Sequence, residues 1–128
     1  EQGELERVLG LLGGFGRAEQ IPERLMDAAV SVGSSSPAYV FLFIEAMADA
    51  AVADGIPRDT AYRFAAQAVL GSAKLVLETG KHPGELKDMV CSPGGTTIEA
   101  VRSLEKNGFR GSVMEAMRAC TEKAKRMV

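Results

Sequence analysis

Residues 36–54 constrain the fold of this chain more than any other stretch, because apolar or alanine side chains occupy nearly every side of the helix that they predict. The stretch reads SPAYVFLFIEAMADAAVAD and is followed by Gly55. A capping serine with a proline at the first helical position is a typical helix start, and a glycine is a typical stop. We therefore expect Ser36 to cap a helix that begins at Pro37 and ends before Gly55.

A helix that is apolar all round is normally buried on all sides. A chain of 128 residues surrounds such a helix with difficulty, and closed two-fold pairs are the commonest soluble oligomers. The pattern therefore favours a homodimer in which a second copy covers part of this helix. The alternative, from pattern alone, is a central helix within a monomeric bundle.

Helical spacing of apolar residues recurs along the rest of the chain, and no window alternates apolar and polar residues with the period of a strand. Glycine, proline or asparagine separates the periodic stretches. The predicted helices cover residues 5–12, 22–32, 57–79, 97–106 and 113–127 in addition to 36–54, with a short helical turn at 85–90. The sequence thus predicts an all-α fold of roughly six helices.

Composition narrows the class of protein. The length suits one domain, and 46% hydrophobic with 25% charged residues is ordinary for a soluble globular protein. A net charge of −2 argues against nucleic acid as a partner. No signal sequence opens the chain, and no uninterrupted apolar run reaches the roughly 20 residues that span a bilayer. We expect a cytoplasmic protein without a membrane partner or bound metal, in which Cys91 and Cys120 are reduced.

The loop at residues 91–95, CSPGG, is the best candidate for a binding site. Pro93 fixes one backbone φ angle, whereas Gly94 and Gly95 can adopt φ values that are closed to other residues. The N–H groups of such a loop can converge into an anion-binding nest, to which Ser92 adds a hydroxyl donor. This arrangement suits a carboxylate or a phosphate, and the alternative is a simple tight turn.

The residues that follow, TTIE at 96–99, match a capping box. In this motif Thr96 accepts a hydrogen bond from the third helical N–H and Glu99 reaches back to the Thr96 N–H. Thr97 is then the first helical residue, with a free hydroxyl beside the positive end of the helix dipole.

Other groups that could carry chemistry have more ordinary interpretations. His82 stands alone beside Pro83, which favours an exposed or packing residue over a metal ligand. Cys91 has no histidine and carboxylate pattern around it that would indicate a nucleophile. Glu45 and Asp49 lie four residues apart, where a polar stripe or a hydrogen bond to a neighbouring helix is favoured over a general acid–base pair.

Three stretches together resemble the pyrroline-5-carboxylate reductase family: GSSSPAYVFLFIEAMADA at 33–50, GSAKLVLETGKHPGELKD at 71–88 and CSPGGTTIEAV at 91–101. The run HPGELKDMVCSPGGTTIEA is similar to the family signature in both residues and spacing. The family reduces the cyclic imine 1-pyrroline-5-carboxylate to L-proline with NADPH or NADH, the last step of proline biosynthesis. The resemblance therefore implies an oxidoreductase with a small carboxylate-bearing substrate.

The resemblance also implies that the chain has two parts. Residues 21–128 resemble the family's helical domain, which binds substrate, dimerises with interleaved helices and often assembles into pentamers of dimers. Residues 1–20 look like the trailing helix and linker of the preceding Rossmann domain, which holds the cofactor. We expect that domain to be missing here, so that the chain alone binds no NADPH or NADH and is inactive.

By the same resemblance, Ser92, Gly95, Thr96 and Thr97 grip the substrate carboxylate, largely through backbone N–H groups. Thr97 is the implied catalytic residue, because it matches the threonine whose hydroxyl lies near the ring nitrogen. A threonine hydroxyl is too weak an acid to donate a proton readily at neutral pH, so we expect it to orient the nitrogen or relay a proton from water. Val90 matches a residue that lines the same pocket.

Ser35, Ser36 and Pro37 match the family's turn beside the nicotinamide, where many members have glycine in place of Ser36. A second function remains open beside the reductase. The chain could serve purely as a helical dimerisation module in which the substrate loop is vestigial.

Overall fold

The computed structural model describes residues 2–127, and over this range every regular element is helical. The α-helices are α1 (Gln2–Gly13), α2 (Met26–Ala29), α3 (Ser36–Ala53), α4 (Arg58–Thr79), α5 (Pro83–Val90), α6 (Thr96–Lys106) and α7 (Phe109–Lys125). A 3₁₀ turn, Glu23–Leu25, precedes α2, and a π-helix, Val30–Ser34, lies between α2 and α3. The all-α prediction is confirmed, and α5 is the predicted short turn.

The longest helix, α4, has the bounds that the sequence predicts. Pro57 is its N-terminal cap, and the helix ends at Gly80, which adopts the left-handed conformation with φ 64°. Glycine makes this conformation inexpensive because it has no Cβ atom to clash with the preceding carbonyl. The predicted stop of α6 is confirmed in the same way, since Asn107 caps the helix and Gly108 follows with φ 73°.

The predicted cap of α3 is wrong by one residue. Ser35, not Ser36, occupies the N-cap position. The Ser36 hydroxyl instead donates a hydrogen bond to the Val32 carbonyl oxygen. The reason is that the π-helix runs directly into α3, so the backbone at Ser36 is already helical and its short side chain bonds back four residues.

The capping box predicted at α6 is also wrong. The helix begins at Thr96, with Gly95 as N-cap in an extended conformation (φ −80°, ψ 169°), and no side chain caps it. Glu99 forms an ion pair with Arg102 at 3.2 Å instead of reaching back to the Thr96 N–H. Because the glycine takes the N-cap position, Thr96 and Thr97 are the first two helical residues.

The second predicted helix is less regular than its pattern indicates. Only Met26–Ala29 is α-helical, and Gly33, expected to end the helix, lies inside the π-helix. The π-helix closes with a hydrogen bond from the Ser35 N–H to the Val30 carbonyl oxygen at 3.0 Å. Helix α7 packs against this segment from the other end of the chain.

The core of the single chain is thin. Helices α3 and α4, joined by residues 54–57, form a helical hairpin that is the most extensive packing in the described range. The apolar residues that are buried within residues 3–127 are Ala48 on α3, Ala61 and Ala65 on α4, and Leu86 on α5. Small side chains allow helix axes to approach closely, but they bury little apolar area.

Large apolar side chains lie mostly on the surface. The accessible surface is 10209 Å², whereas a compact monomer of 13.6 kDa exposes about 6,600 Å². Phe41 and Leu42 on α3 are 67% and 66% exposed, and Phe64 on α4 is 63% exposed. An apolar groove of about 630 Å³ runs between α3, α4 and α7. The ring of Phe43 lies in this groove beside that of Phe109, with centroids 5.9 Å apart.

By length and composition, one helical stretch of the described residues could cross a membrane. It is Glu23–Ala53, with a mean hydropathy of 1.4 over its most apolar window, of which 6% is buried within the chain. Core helices of soluble proteins pass the same test. The expectation of no membrane partner therefore stays a prediction.

Candidate functional site

The loop before α6 is a tight turn built by its proline and first glycine. The Gly95 N–H donates to the Ser92 carbonyl oxygen at 3.0 Å, which closes a four-residue turn. Pro93 occupies the second position of this turn and Gly94, with φ 67°, occupies the third. A proline followed by a residue of positive φ is typical of a type II turn, which favours glycine at the third position.

Gly95 is needed for a different reason, which is the close approach of Ser92. A Cβ atom at position 95 would overlap the Ser92 hydroxyl and would lie 3.2 Å from the Ser92 carbonyl oxygen. The Ser92 side chain therefore folds over Gly95, at the residue that precedes the first turn of α6. Its hydroxyl lies against the N-cap residue of α6, and its role as a donor to a bound anion stays a prediction.

The N-terminus of α6 presents backbone donors. The N–H groups of Thr96, Thr97 and Ile98 have no partner within the helix, as in the first turn of any α-helix, and no side chain caps this end. The helix dipole adds partial positive charge at the same place. Thr97 is half-buried whereas Thr96 is exposed. An anion at this end would be met by several N–H groups.

Val90 ends α5 on the other side of the loop. It is 65% exposed and borders a second groove of about 300 Å³, which Leu75 and Val76 of α4 also line. The Cys91 N–H donates to the carbonyl oxygens of Lys87 and Asp88, both at 3.1 Å, so the chain leaves α5 in a fixed direction. Val90 therefore lies two residues before the turn at 92–95, on a groove that α4 and α5 form.

The turn predicted to meet the nicotinamide lies elsewhere in the chain, at the junction of the π-helix and α3. Ser35 and Ser36 are half-buried and Pro37 is exposed. Both α6 and the π-helix pack against α7. No hydrogen bond joins this turn to residues 92–97 in the part of the chain that the structure describes.

The structure also reveals a side-chain cluster that the sequence does not indicate. The Cys120 thiol on α7 donates a hydrogen bond to the Ser35 hydroxyl, with 3.2 Å between sulfur and oxygen. The pKa of the Cys120 thiol is lowered because the neighbouring Ser35 and Tyr39 hydroxyls can donate to its thiolate form, and the nearby Cys120 raises the pKa of Tyr39. Ser35 and Cys120 are separated by 85 residues in sequence, so no local pattern could have paired them.

The remaining candidates have structural roles. The Nδ1 atom of His82 accepts a hydrogen bond from the Gly84 N–H at 3.0 Å and so caps α5. Asp49 pairs with Arg58 of α4, which is the neighbouring-helix contact expected for this acidic pair. Among the described residues, no group of three or more metal-ligating side chains comes together.

Comparisons with known proteins agree on one family. Residues 23–127 match the family model described as pyrroline-5-carboxylate reductase dimerisation. The chain is 66% identical over 120 residues to pyrroline-5-carboxylate reductase of Escherichia coli strain K12, which covers 94% of the chain and 45% of that protein. It is 50% identical over 124 residues to the same enzyme of Methanosarcina acetivorans, covering 97% of the chain and 46% of that protein.

Solved structures agree with this result. The crystal structure of Plasmodium falciparum pyrroline carboxylate reductase with NADP bound superposes with a TM-score of 0.88 at 36% identity, covering 99% of this chain and 51% of that one. A pyrroline-5-carboxylate reductase from Coxiella burnetii superposes with a TM-score of 0.94 at 31% identity, covering 98% of this chain and 47% of that one.

The helical fold, the exposed apolar faces and the donor-lined loop together define a helical dimerisation domain. More particularly, the chain belongs to the pyrroline-5-carboxylate reductase dimerisation family, as the match over residues 23–127 and the identities to curated reductases show. The chain spans about half the length of the curated relatives that it matches.

Proposed function

We propose that residues 21–128 form the dimerisation and substrate-binding part of a pyrroline-5-carboxylate reductase, which reduces 1-pyrroline-5-carboxylate to L-proline with NADPH or NADH in the cytoplasm. The observation that carries this proposal is the loop at residues 92–95 before α6, where backbone N–H groups of the uncapped helix start are free to bind an anion. The chain that contains this loop is 66% identical to a curated reductase. The family model begins at residue 23, which supports a boundary near residue 20 between α1 with its linker and the helical domain.

The substrate carboxylate would bind at the N-terminus of α6. A carboxylate there accepts hydrogen bonds from the free N–H groups of Thr96 and Thr97 and gains from the helix dipole. The Ser92 hydroxyl lies against Gly95 at the same end and adds a further donor. Val90, 65% exposed on the other side of the loop, would contact the apolar part of the ring.

Thr97 is the group that would meet the ring nitrogen. Its side chain is half-buried, and the N-terminus of α6 has no side-chain cap. A threonine hydroxyl does not give up a proton readily at neutral pH, so its role is to orient the nitrogen or to relay a proton from water. An orienting hydrogen bond of this kind raises the rate by holding the reacting carbon in position.

The nicotinamide would lie against the turn at residues 35–37. Pro37 is exposed and offers a flat apolar contact, whereas the Ser36 hydroxyl donates to the Val32 carbonyl oxygen of the π-helix. When bound, NADPH or NADH supplies the hydride. Most of the cofactor would contact protein outside residues 1–128, so we expect the chain alone to be inactive.

A second copy of the chain would cover the exposed apolar faces. The groove of about 630 Å³ is lined by residues such as Val40, Met47 and Val69, and the whole chain exposes 10209 Å². Apolar surface on this scale is typical of an obligate interface between subunits. Interleaved helices of a two-fold partner would fill the groove, and such dimers could assemble further into a pentamer.

Binding of a product analogue tests the substrate part of the proposal. We expect L-proline, titrated into ¹⁵N-labelled chain, to shift the amide signals of Gly95, Thr96 and Thr97 more than any others. A Ser92→Ala variant should bind several-fold more weakly, with Ser112→Ala on α7 as the matched control. If these signals do not move even at tens of millimolar proline, the chain is a dimerisation module with a vestigial loop.

A further inference from the structure

Cys120, Ser35 and Tyr39, here named the Cys120 cluster, join the two ends of the helical domain. The thiol of Cys120 on α7 donates to the Ser35 hydroxyl at 3.2 Å, and the Tyr39 side chain lies near enough to the same thiol for each to shift the pKa of the other. All three residues are half-buried. Ser35 belongs to the turn at 35–37 and Tyr39 follows that turn by two residues, whereas the reductase chemistry described above gives no role to Cys120 or Tyr39.

Ser35 is the residue on which the geometry of this turn depends. Its N–H closes the π-helix by donating to the Val30 carbonyl oxygen at 3.0 Å, and its own carbonyl accepts from the Ala38 N–H at 3.1 Å. It therefore belongs to both the π-helix and the first turn of α3. Fixing the Ser35 side chain fixes the rotation of one helical segment relative to the other.

A π-helix needs such support because its wide turn is intrinsically unfavourable and is usually retained for a local structural purpose. Relaxation to a regular α-helix would rotate the preceding residues by about 100° relative to α3, the angle of one residue in an α-helix. The Ser36 hydroxyl also links the two segments, because it donates to the Val32 carbonyl oxygen of the π-helix, but both ends of that bond lie on the same continuous stretch of chain. The hydrogen bond from Cys120 to Ser35, in contrast, comes from α7, which lies far away in the sequence.

We propose that Cys120 is a positioning residue, whose hydrogen bond to Ser35 holds the π-helix and the turn at 35–37 in the conformation that meets the nicotinamide. The inference rests on the proposed function of this turn. Cys120 acts through Ser35 and does not itself contact substrate or cofactor. Its effect should therefore fall on the binding of NADPH or NADH and leave binding at the α6 loop unchanged.

The test uses a full-length reductase in which this sequence follows the N-terminal portion of its E. coli relative, and it compares three variants. Cys120→Ala removes the hydrogen bond to Ser35, whereas Cys120→Ser retains a hydroxyl that can replace the thiol. Thr121→Ala is the control. It truncates the next half-buried residue of α7, whose hydroxyl bonds to Met117 of the same helix. We expect Cys120→Ala to raise the KM for NADPH or NADH roughly fivefold, the effect of one ordinary hydrogen bond. The KM for the imine should stay within twofold.

Hydrogen exchange gives a readout that does not depend on activity. Without cofactor, the peptide that spans residues 30–38 should exchange faster in Cys120→Ala and at the normal rate in Cys120→Ser and Thr121→Ala. Equal increases in both KM values, unchanged exchange in this peptide, or failure of serine to restore either readout would overturn the positioning role. An inactive parent enzyme would instead overturn the proposed function, and the exchange experiment would still decide whether the cluster holds the turn.

Discussion

At the scale of single residues, the two neighbouring threonines at the start of α6 have different surroundings although their sequence context is nearly the same. Thr96 is exposed and Thr97 is half-buried, and neither caps the helix because Gly95 takes that position. The sequence could predict the helix start and the free donors from the local residues. It could not predict that the glycine would take the cap, because the close approach of Ser92 to Gly95 depends on the folded turn.

These surroundings separate the effects of two alanine substitutions. We expect Thr97→Ala to lower kcat/KM of the full-length reductase about 10- to 100-fold, since it removes a hydrogen bond to a charged ring nitrogen. Thr96→Ala should change kcat/KM by less than about threefold and the free energy of unfolding by less than about 0.5 kcal/mol, because no cap is lost. Steady-state kinetics and urea unfolding measure both, and equal kinetic losses would contradict the roles given to the two hydroxyls.

The two hydroxyl groups beside Cys120 predict how its thiol titrates, because they can donate to the thiolate form. Ser35 and Tyr39 lower its pKa, so the thiolate should form below the usual pH of about 8.5. The pKa of Cys120 is lower in the folded chain than in the unfolded chain. The contact therefore contributes its full stabilisation at pH values above the unfolded pKa. This stabilisation is lost as the pH falls through the folded pKa. Absorbance at 240 nm in a Cys91→Ser background reports the pKa, and Ser35→Ala should raise it. A midpoint at or above the ordinary thiol value would contradict the contact.

At the scale of helices and turns, the sequence predicts those helix ends that depend on one local residue. It does not predict the helix ends that depend on packing against a distant element. Gly80 and Asn107 end their helices where the sequence places the stops. The apolar pattern does not predict the π-helix at Val30–Ser34, because its spacing resembles that of an ordinary helix and the packing against it comes from the distant α7. Gly33 was therefore wrongly expected to end the second helix.

The left-handed end of α4 gives a prediction at this scale. Replacing Gly80, whose φ is 64°, by alanine should lower the free energy of unfolding by about 1 kcal/mol, because a Cβ atom is disfavoured in this conformation. Gly80→Asn should lose less, since asparagine tolerates positive φ better than alanine. Urea denaturation of both variants measures the difference. Equal stability of Gly80→Ala and the parent would contradict the assigned conformation.

At the scale of the whole molecule, the single chain has more apolar surface than its helices can bury. Its accessible surface of 10209 Å² exceeds that of a compact monomer of its mass by about 3,600 Å². The all-round apolar pattern of residues 36–54 predicts this imbalance. The pattern could not reveal which faces meet the partner, because the buried alanines of α3 and α4 and the exposed phenylalanines follow the same helical spacing.

Phe41 on α3 provides the sharpest test of dimerisation. In an isolated chain its side chain is 67% exposed, so Phe41→Lys should change stability by no more than about 0.5 kcal/mol. In a dimer that covers α3, a buried lysine would cost roughly 2 kcal/mol or more.

We expect light scattering to give twice the chain mass for the parent, and we expect its unfolding midpoint to rise with protein concentration because folding and association are linked. Phe41→Lys should be monomeric or much less stable, whereas Ser103→Lys on the polar face of α6 should behave like the parent. A parent that stays monomeric at micromolar concentration, with a midpoint independent of concentration, would require another partner for this surface.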